Sequence, residues 1–146
     1  MELITAQIRR LDDADAIASA WPVVHQLRPH LDRAALLDAW ACQRAEGFRA
    51  AGLFVDGVCR VFAGYRVQHM LAHGRFLYVD DLVCDEAVRG TGLGTQMIDW
   101  LLAEARREGC ASLQLDSGTQ RLGAHAFYFA RGLHINSFHF RIPLPA

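Results

Sequence analysis

Basic clusters, closely spaced cysteines and long apolar runs are all missing from this chain, and each absence closes a class of function. No block of basic residues and no basic stripe interleaved with aromatics occurs, and the net charge is −1 with a pI near 6.6. A dedicated nucleic-acid surface is therefore not expected, and any anion site must be local. Cys42, Cys59, Cys84 and Cys110 lie too far apart for the paired spacing that zinc sites and redox motifs need, so they read as buried, reduced thiols. His69 and His73 are four apart but fall at an expected strand-to-strand turn, and no metal is expected. No apolar run reaches ~18 residues, which argues against a membrane span. Met1-Glu2-Leu3-Ile4-Thr5 lacks the basic region and apolar core of a secretory signal. The expectation is a soluble cytoplasmic protein with neither a nucleic-acid nor a membrane partner.

What the chain does contain is enough apolar material for one good core: 52% of its 146 residues are hydrophobic. One domain over residues 1–146 is the expectation. Leu3 to Arg9 reads as a strand. Asp12-Asp13 opens a helical pattern carrying Ile17, Trp21, Val24 and Leu27, which Pro22 kinks or divides. Asp32 is the expected N-cap of a second helix running through Leu36, Leu37, Trp40 and Ala41 toward Gly47. Phe48 to Val55 and Val58 to Gln68 are β-like runs joined at Asp56-Gly57, a hairpin signal. Gly74 to Cys84, rich in β-branched and aromatic residues, is the expected central strand. A long helix follows with Leu93, Met97, Leu101 and Ala105 in one i+4 row, capped near Gly109. Ala111 to Asp116 alternates as a strand, Gly123 to Arg131 reads as a short helix closed by Gly132, and Ile135 to Leu144 reads as a last strand. The order is βααβββαβαβ, an α/β or α+β domain. The exposed edge of that last strand makes a homodimer a candidate arrangement.

The central strand and the long helix are joined by Val88-Arg89-Gly90-Thr91-Gly92-Leu93-Gly94. Such a loop turns several backbone N–H groups toward one anion, and the helix N-terminus adds unpaired amides and partial positive charge. Arg89 adds a full charge, so the segment suits a phosphate or pyrophosphate. Three nucleotide motifs fail here. A P-loop needs a lysine and a hydroxyl after its last glycine, and neither is present. The dinucleotide fingerprint needs a third glycine where Thr95 or Met97 stands. Kinase glycine loops join two strands, whereas this one opens a helix.

The loop does match R-x-x-G-x-G at Arg89, Gly92 and Gly94. The next helix carries Ala124-x-x-Phe127-Tyr128-x-x-x-Gly132. On these two motifs the chain resembles the GNAT superfamily of acyl-CoA-dependent N-acetyltransferases, by motif over about residues 76 to 133 and by element order elsewhere. Leu133 departs from the phenylalanine common after that glycine, and Arg121 stands near the place of a frequent asparagine. The resemblance implies a single GNAT-like domain with a central mixed, mostly antiparallel twisted sheet flanked by helices. It further implies acetyl-CoA as cosubstrate, its pyrophosphate held by Arg89, Gly90, Thr91, Gly92, Leu93, Gly94 and Thr95. Leu82 and Val83 would border the thioester, the backbone N–H near Val83 polarising its carbonyl.

Acetyl transfer requires a neutral amine, and at pH 7 the neutral form of a lysine-like amine costs about 4.6 kcal/mol. A base is therefore worth having. Asp80 and Asp81 are adjacent on the central strand and should point to opposite faces unless a bulge intervenes. Asp81 is the favoured base. It could equally bind the acceptor's ammonium, cap a backbone group or act through water. By the family resemblance Tyr128 donates a hydrogen bond or proton to the departing sulfur, and His125 is a secondary acid–base candidate. The expected reaction is direct attack by a small-molecule or peptide amine. The rival reading is a non-catalytic acyl-CoA-binding regulatory or interaction module.

Overall fold

Two aspartates start the helical layer. Asp13 Oδ1 accepts from Ala16 N and Asp32 Oδ1 from Ala35 N, each at 2.8 Å, which satisfies amides that the first turn of a helix leaves open. The structure is a computed structural model in which residues 6–146 are described. Leu3 to Thr5, the start of the expected first strand, lie outside the described residues, and that strand, β1, spans Ala6–Arg10. The first helical pattern is two helices: α1 (Ala14–Ser19) ends at Ala20, and α2 (Trp21–Leu27) begins there. Pro22 starts α2, because a proline in the first turn removes no intrahelical hydrogen bond. α3 spans Arg33–Ala45.

The sheet follows as β2 (Arg49–Val55), β3 (Val58–Met70) and β4 (Gly74–Cys84), and later β5 (Ser112–Leu115), in the spatial order β1-β2-β3-β4-β5. All neighbours are antiparallel except β4 and β5, which run parallel. Asp56 and Gly57 turn the β2–β3 hairpin with φ of +50° and +78°, the left-handed pair that matches strand twist. A 3-10 turn (Glu86–Val88) links β4 to α4 (Leu93–Arg107). The expected mixed, mostly antiparallel sheet is what the chain forms.

Helices cover both faces. Ile17, Val23, Val24, Leu36 and Trp40 pack with Phe54, Phe62 and Val83 on one side. Leu93, Met97, Leu101 and Ala105 pack with Leu53, Val61, Tyr65, Leu77 and Val79 on the other. Met97 and Leu101 are completely buried, and truncating either to alanine would cost about 2–5 kcal/mol. α4 closes with Gly109 at φ +69° and Cys110 N donating to Ala105 O at 2.9 Å, a glycine C-cap as expected. All four cysteines are free, but only Cys59 is buried as expected: Cys84 and Cys110 are half-buried and Cys42 is exposed. Burial pushes the Cys59 thiol up to about 12.

Contacts divide the chain at Leu115, and residues 116–146 form a second unit. It holds α5 (Leu122–Ala130), closed by Gly132 at φ +91° with Leu133 N donating to Tyr128 O at 3.0 Å. The expected last strand is absent: residues 133–146 carry no helix or strand. Alternation of Phe138, Phe140, Ile142 and Leu144 defines an apolar face, but alternation alone does not supply the hydrogen-bonded neighbour that a strand needs. Pro143 and Pro145 remove two donors besides.

Candidate active site

The loop after β4 is anchored before it becomes a cradle. Asp85 accepts from Arg60 Nη1 at 2.7 Å, Ala87 N at 3.0 Å and Gln26 Nε2 at 3.2 Å. The Ala87 amide and the Arg60 guanidinium hold its carboxyl below the usual aspartate range. Thr91 Oγ1 then donates to Val88 O at 2.6 Å and Arg89 Nε to Cys84 O at 3.3 Å. Gly90 and Gly92 have φ of +79° and +89°, which side chains disfavour. Gly92 is the N-cap of α4 and supplies no side-chain acceptor to the first turn. A Cβ at Gly90 or Gly92 would meet nothing within 4 Å. Open space, backbone donors and an exposed arginine fit the pyrophosphate of coenzyme A.

One strand upstream, β4 breaks its alternation. Gly64 pairs with Asp81 and Tyr65 with Val79, so Asp80 is the extra residue of a bulge. Leu77 and Val79 face the α4 layer, and an unbroken pleat would send Asp81 and Val83 after them. Val83 instead packs under α1, α2 and α3, and Leu82 and Cys84 turn to the α4 side. Asp80 and Asp81 consequently line the same cleft, the exception for which the period of two left room.

That cleft has a volume of about 400 Å³, within the range of small-molecule sites. Trp40 of α3 and Phe48 and Phe62 are among its apolar walls, and Arg28, at the end of α2, is among its polar ones. Arg66 grips Asp80 as a fork, Nε to Oδ1 at 3.0 Å and Nη2 to Oδ2 at 2.5 Å. Arg28 places Nε 2.8 Å and Nη2 2.5 Å from the same oxygen of Asp81, Oδ1. Burial raises the Asp80 carboxyl above its ordinary value despite Arg66. Gly64, opposite the bulge, has no room for a side chain: a Cβ there would lie 2.4 Å from Phe48 Cζ.

The bulge also ends the parallel ladder. β4 pairs with β5 from Phe76↔Ser112 to Val79↔Leu115. From Asp80 to Cys84 that edge of β4 has no strand partner among the described residues, and Leu82 and Val83 lie on this open stretch. Tyr128 and His125 belong to α5, in the second unit. Burial raises the Tyr128 phenol, with Arg121 opposing, so the group is a neutral O–H donor at neutral pH. His125 Nε2 lies 2.8 Å from Gly118 O; a carbonyl only accepts, so Nε2 carries the proton there. In the loop before α5, Ser117 Oγ is buried without a hydrogen-bond partner among the described residues.

Sequence reasoning missed Arg28, Arg66, Asp85 and the aromatic walls. Trp40 was legible only as a core position of a helix, and Arg28 lies 53 residues from its partner Asp81, with no local pattern joining them.

Residues 12–133 match the profile of the acetyltransferase (GNAT) family. YhdJ of Bacillus subtilis, an uncharacterized N-acetyltransferase, is 30% identical over 139 residues, 94% of this chain and 98% of that protein. An aminoalkylphosphonate N-acetyltransferase of Salmonella typhimurium is 31% identical over 75 residues, 51% of this chain and 49% of that one. Among solved structures, aminoglycoside N-acetyltransferase AAC(6')-Iy in complex with CoA superposes with a TM-score of 0.85 at 17% identity, covering 99% of this chain and 98% of that chain. A Trypanosoma brucei acetyltransferase gives 0.76 at 24% identity, covering 96% and 100%.

Proposed function

The chain belongs to the GNAT family of acetyltransferases, and from that premise we propose that it moves an acetyl group from acetyl-CoA to a primary amine by direct attack. The observation that carries this reading is the β4 bulge. It puts two carboxylates in a cleft large enough for an amine, on the strand whose end leads into the pyrophosphate cradle. Arg89, Gly90, Thr91, Gly92, Leu93, Gly94 and Thr95 hold the pyrophosphate, and Leu82 and Val83 offer backbone N–H groups to the thioester carbonyl. Asp81 takes the proton of the acceptor ammonium, directly or through water. The freed nitrogen bonds to the carbonyl carbon, the carbon–sulfur bond breaks, and Tyr128 passes its O–H proton to the departing sulfur and is restored by the second proton that the nitrogen sheds on becoming the amide. Tyr128 is suited to this as a donor, because a phenol whose ionisation is disfavoured keeps its proton. His125 is the second acid–base group on the same helix. The acceptor is a small-molecule or peptide amine.

Two measurements test the reading. Acetyl-CoA at ~100 times its Kd should stabilise the protein by about 2.7 kcal/mol, and the absence of any melting shift would sink it. Free-thiol release with an amine panel should then fall ~10²-fold in kcat for Tyr128→Phe while the acetyl-CoA shift persists. The chain contains no lysine, so thiol release without added amine does not come from acetylation of its own lysine side chains. Tight acetyl-CoA binding with no turnover of any amine would instead identify a non-catalytic acyl-CoA-binding module.

A further inference from the structure

The charges in the acceptor cleft already cancel: Asp80 and Asp81 are matched by Arg66 and Arg28. The two pairs are built differently. Arg66 occupies both oxygens of Asp80, and the two side chains are only 15% and 17% exposed. Arg28 sits on one oxygen of Asp81, is 43% exposed and lines the cleft, so two of its five donors are engaged on Asp81 and three are left for other partners. Arg28 is the member that can serve a ligand. A polyamine finds no surplus of negative charge in this cleft. A simple monoamine docked on Asp81 competes with Arg28 and leaves the guanidinium without its counter-ion, a cost that grows as the site is desolvated. An amine that carries its own anion leaves no charge unpaired, with the ammonium on Asp81 and the anion on the guanidinium fork, whose geometry matches carboxylate and phosphonate alike.

We propose, resting on the acetyltransferase reading above, that the acceptor is an amphoteric primary amine. It bears one carboxylate or phosphonate and an apolar body packed against Trp40, Phe48 and Phe62. The test compares acceptors of one carbon skeleton by free-thiol release at saturating acetyl-CoA: phenylalanine, its phosphonate counterpart and phenethylamine, with spermidine as the polycation. At least one anion-bearing member should exceed phenethylamine by tenfold or more in kcat/KM, the two anionic arms naming the preferred group, and spermidine should be poorest. Arg28→Gln should collapse that ratio toward one, chiefly through KM. Equal or better turnover of phenethylamine or spermidine by the parent protein overturns the proposal and leaves the acetyltransferase reading standing. Turnover of none of the four, with acetyl-CoA bound, overturns both.

Discussion

The proposed pyrophosphate cradle and the proposed acceptor cleft meet on one strand, yet they are made of different material. The cradle is one continuous segment, residues 89–95, whose donors are backbone amides and whose shape depends on two left-handed glycines. The cleft gathers side chains from α1, α2, α3, β3 and β4, and its character lies in which side chains those are. A backbone site tolerates many sequences provided its glycines stay. A side-chain site changes ligand with a single substitution. Family membership therefore speaks to the cradle and leaves the acceptor to be read from Arg28, Trp40, Phe48, Asp80 and Asp81.

The sharpest way to break that division is Gly92→Val. At φ +89° a β-branched residue costs of order 1–3 kcal/mol. The exposed loop relieves it by leaving the cradle geometry, so the cost appears when the ligand forces it back. Acetyl-CoA affinity should fall by about 30-fold, since about 2 kcal/mol corresponds to that ratio. Acceptor KM, taken at saturating acetyl-CoA, should stay within about threefold. Calorimetry of acetyl-CoA binding checks the first figure. An unchanged affinity would mean that the site does not work through its backbone.

The same division decided what could be read without coordinates. The Arg89 to Gly94 segment was legible because consecutive residues carry it, as were the α4 row from Leu93 to Ala105, the caps at Asp32 and Gly109 and the Asp56-Gly57 hairpin. Asp80 and Asp81 were visible as a pair, but the bulge that turns both to one face is a property of the register with β3. Arg28 and Asp81 are brought together only by the tertiary fold. The C-terminal alternation announced an apolar face without saying which strand would meet it.

An intermediate effect is expected from Gly64→Ala, which attacks the cleft and spares the cradle. The added Cβ would fall 2.4 Å from Phe48 Cζ and 3.4 Å from Asp81 Oδ2, so the ring must move. Overpacking of this kind costs about 1–3 kcal/mol, or roughly 3–10 °C in melting temperature for a chain of this size. Phe48 forms a wall of the cleft, so acceptor KM should rise about tenfold while acetyl-CoA affinity holds. An equal loss in both would show the two sites to be mechanically one.

The smallest effect concerns pH, and it separates the regions by sign. Burial lifts Asp80 of the cleft above the ordinary aspartate value of 3.8, while the Ala87 amide and Arg60 hold Asp85, at the root of the cradle, below it. At pH 3.8 Asp80 is therefore more than half protonated and Asp85 less than half. Asp85, depressed on folding, contributes stability that is present above its unfolded value and lost as pH falls through its folded one. Asp80, raised on folding, does the reverse: its ionised form is the penalised one, and acidification relieves that penalty while releasing Arg66. The difference in urea midpoint between the parent protein and Asp85→Asn should be largest near neutral pH and shrink below pH 3.8, whereas Asp80→Asn should show no such loss on the acid side. Carboxyl carbon shifts from an NMR titration read the two midpoints directly, and a shared midpoint would erase the distinction. Two aspartates five residues apart on one strand and its exit would then titrate on opposite sides of the same reference value, because one is enclosed by a bulge and the other is hydrogen-bonded to the start of a turn.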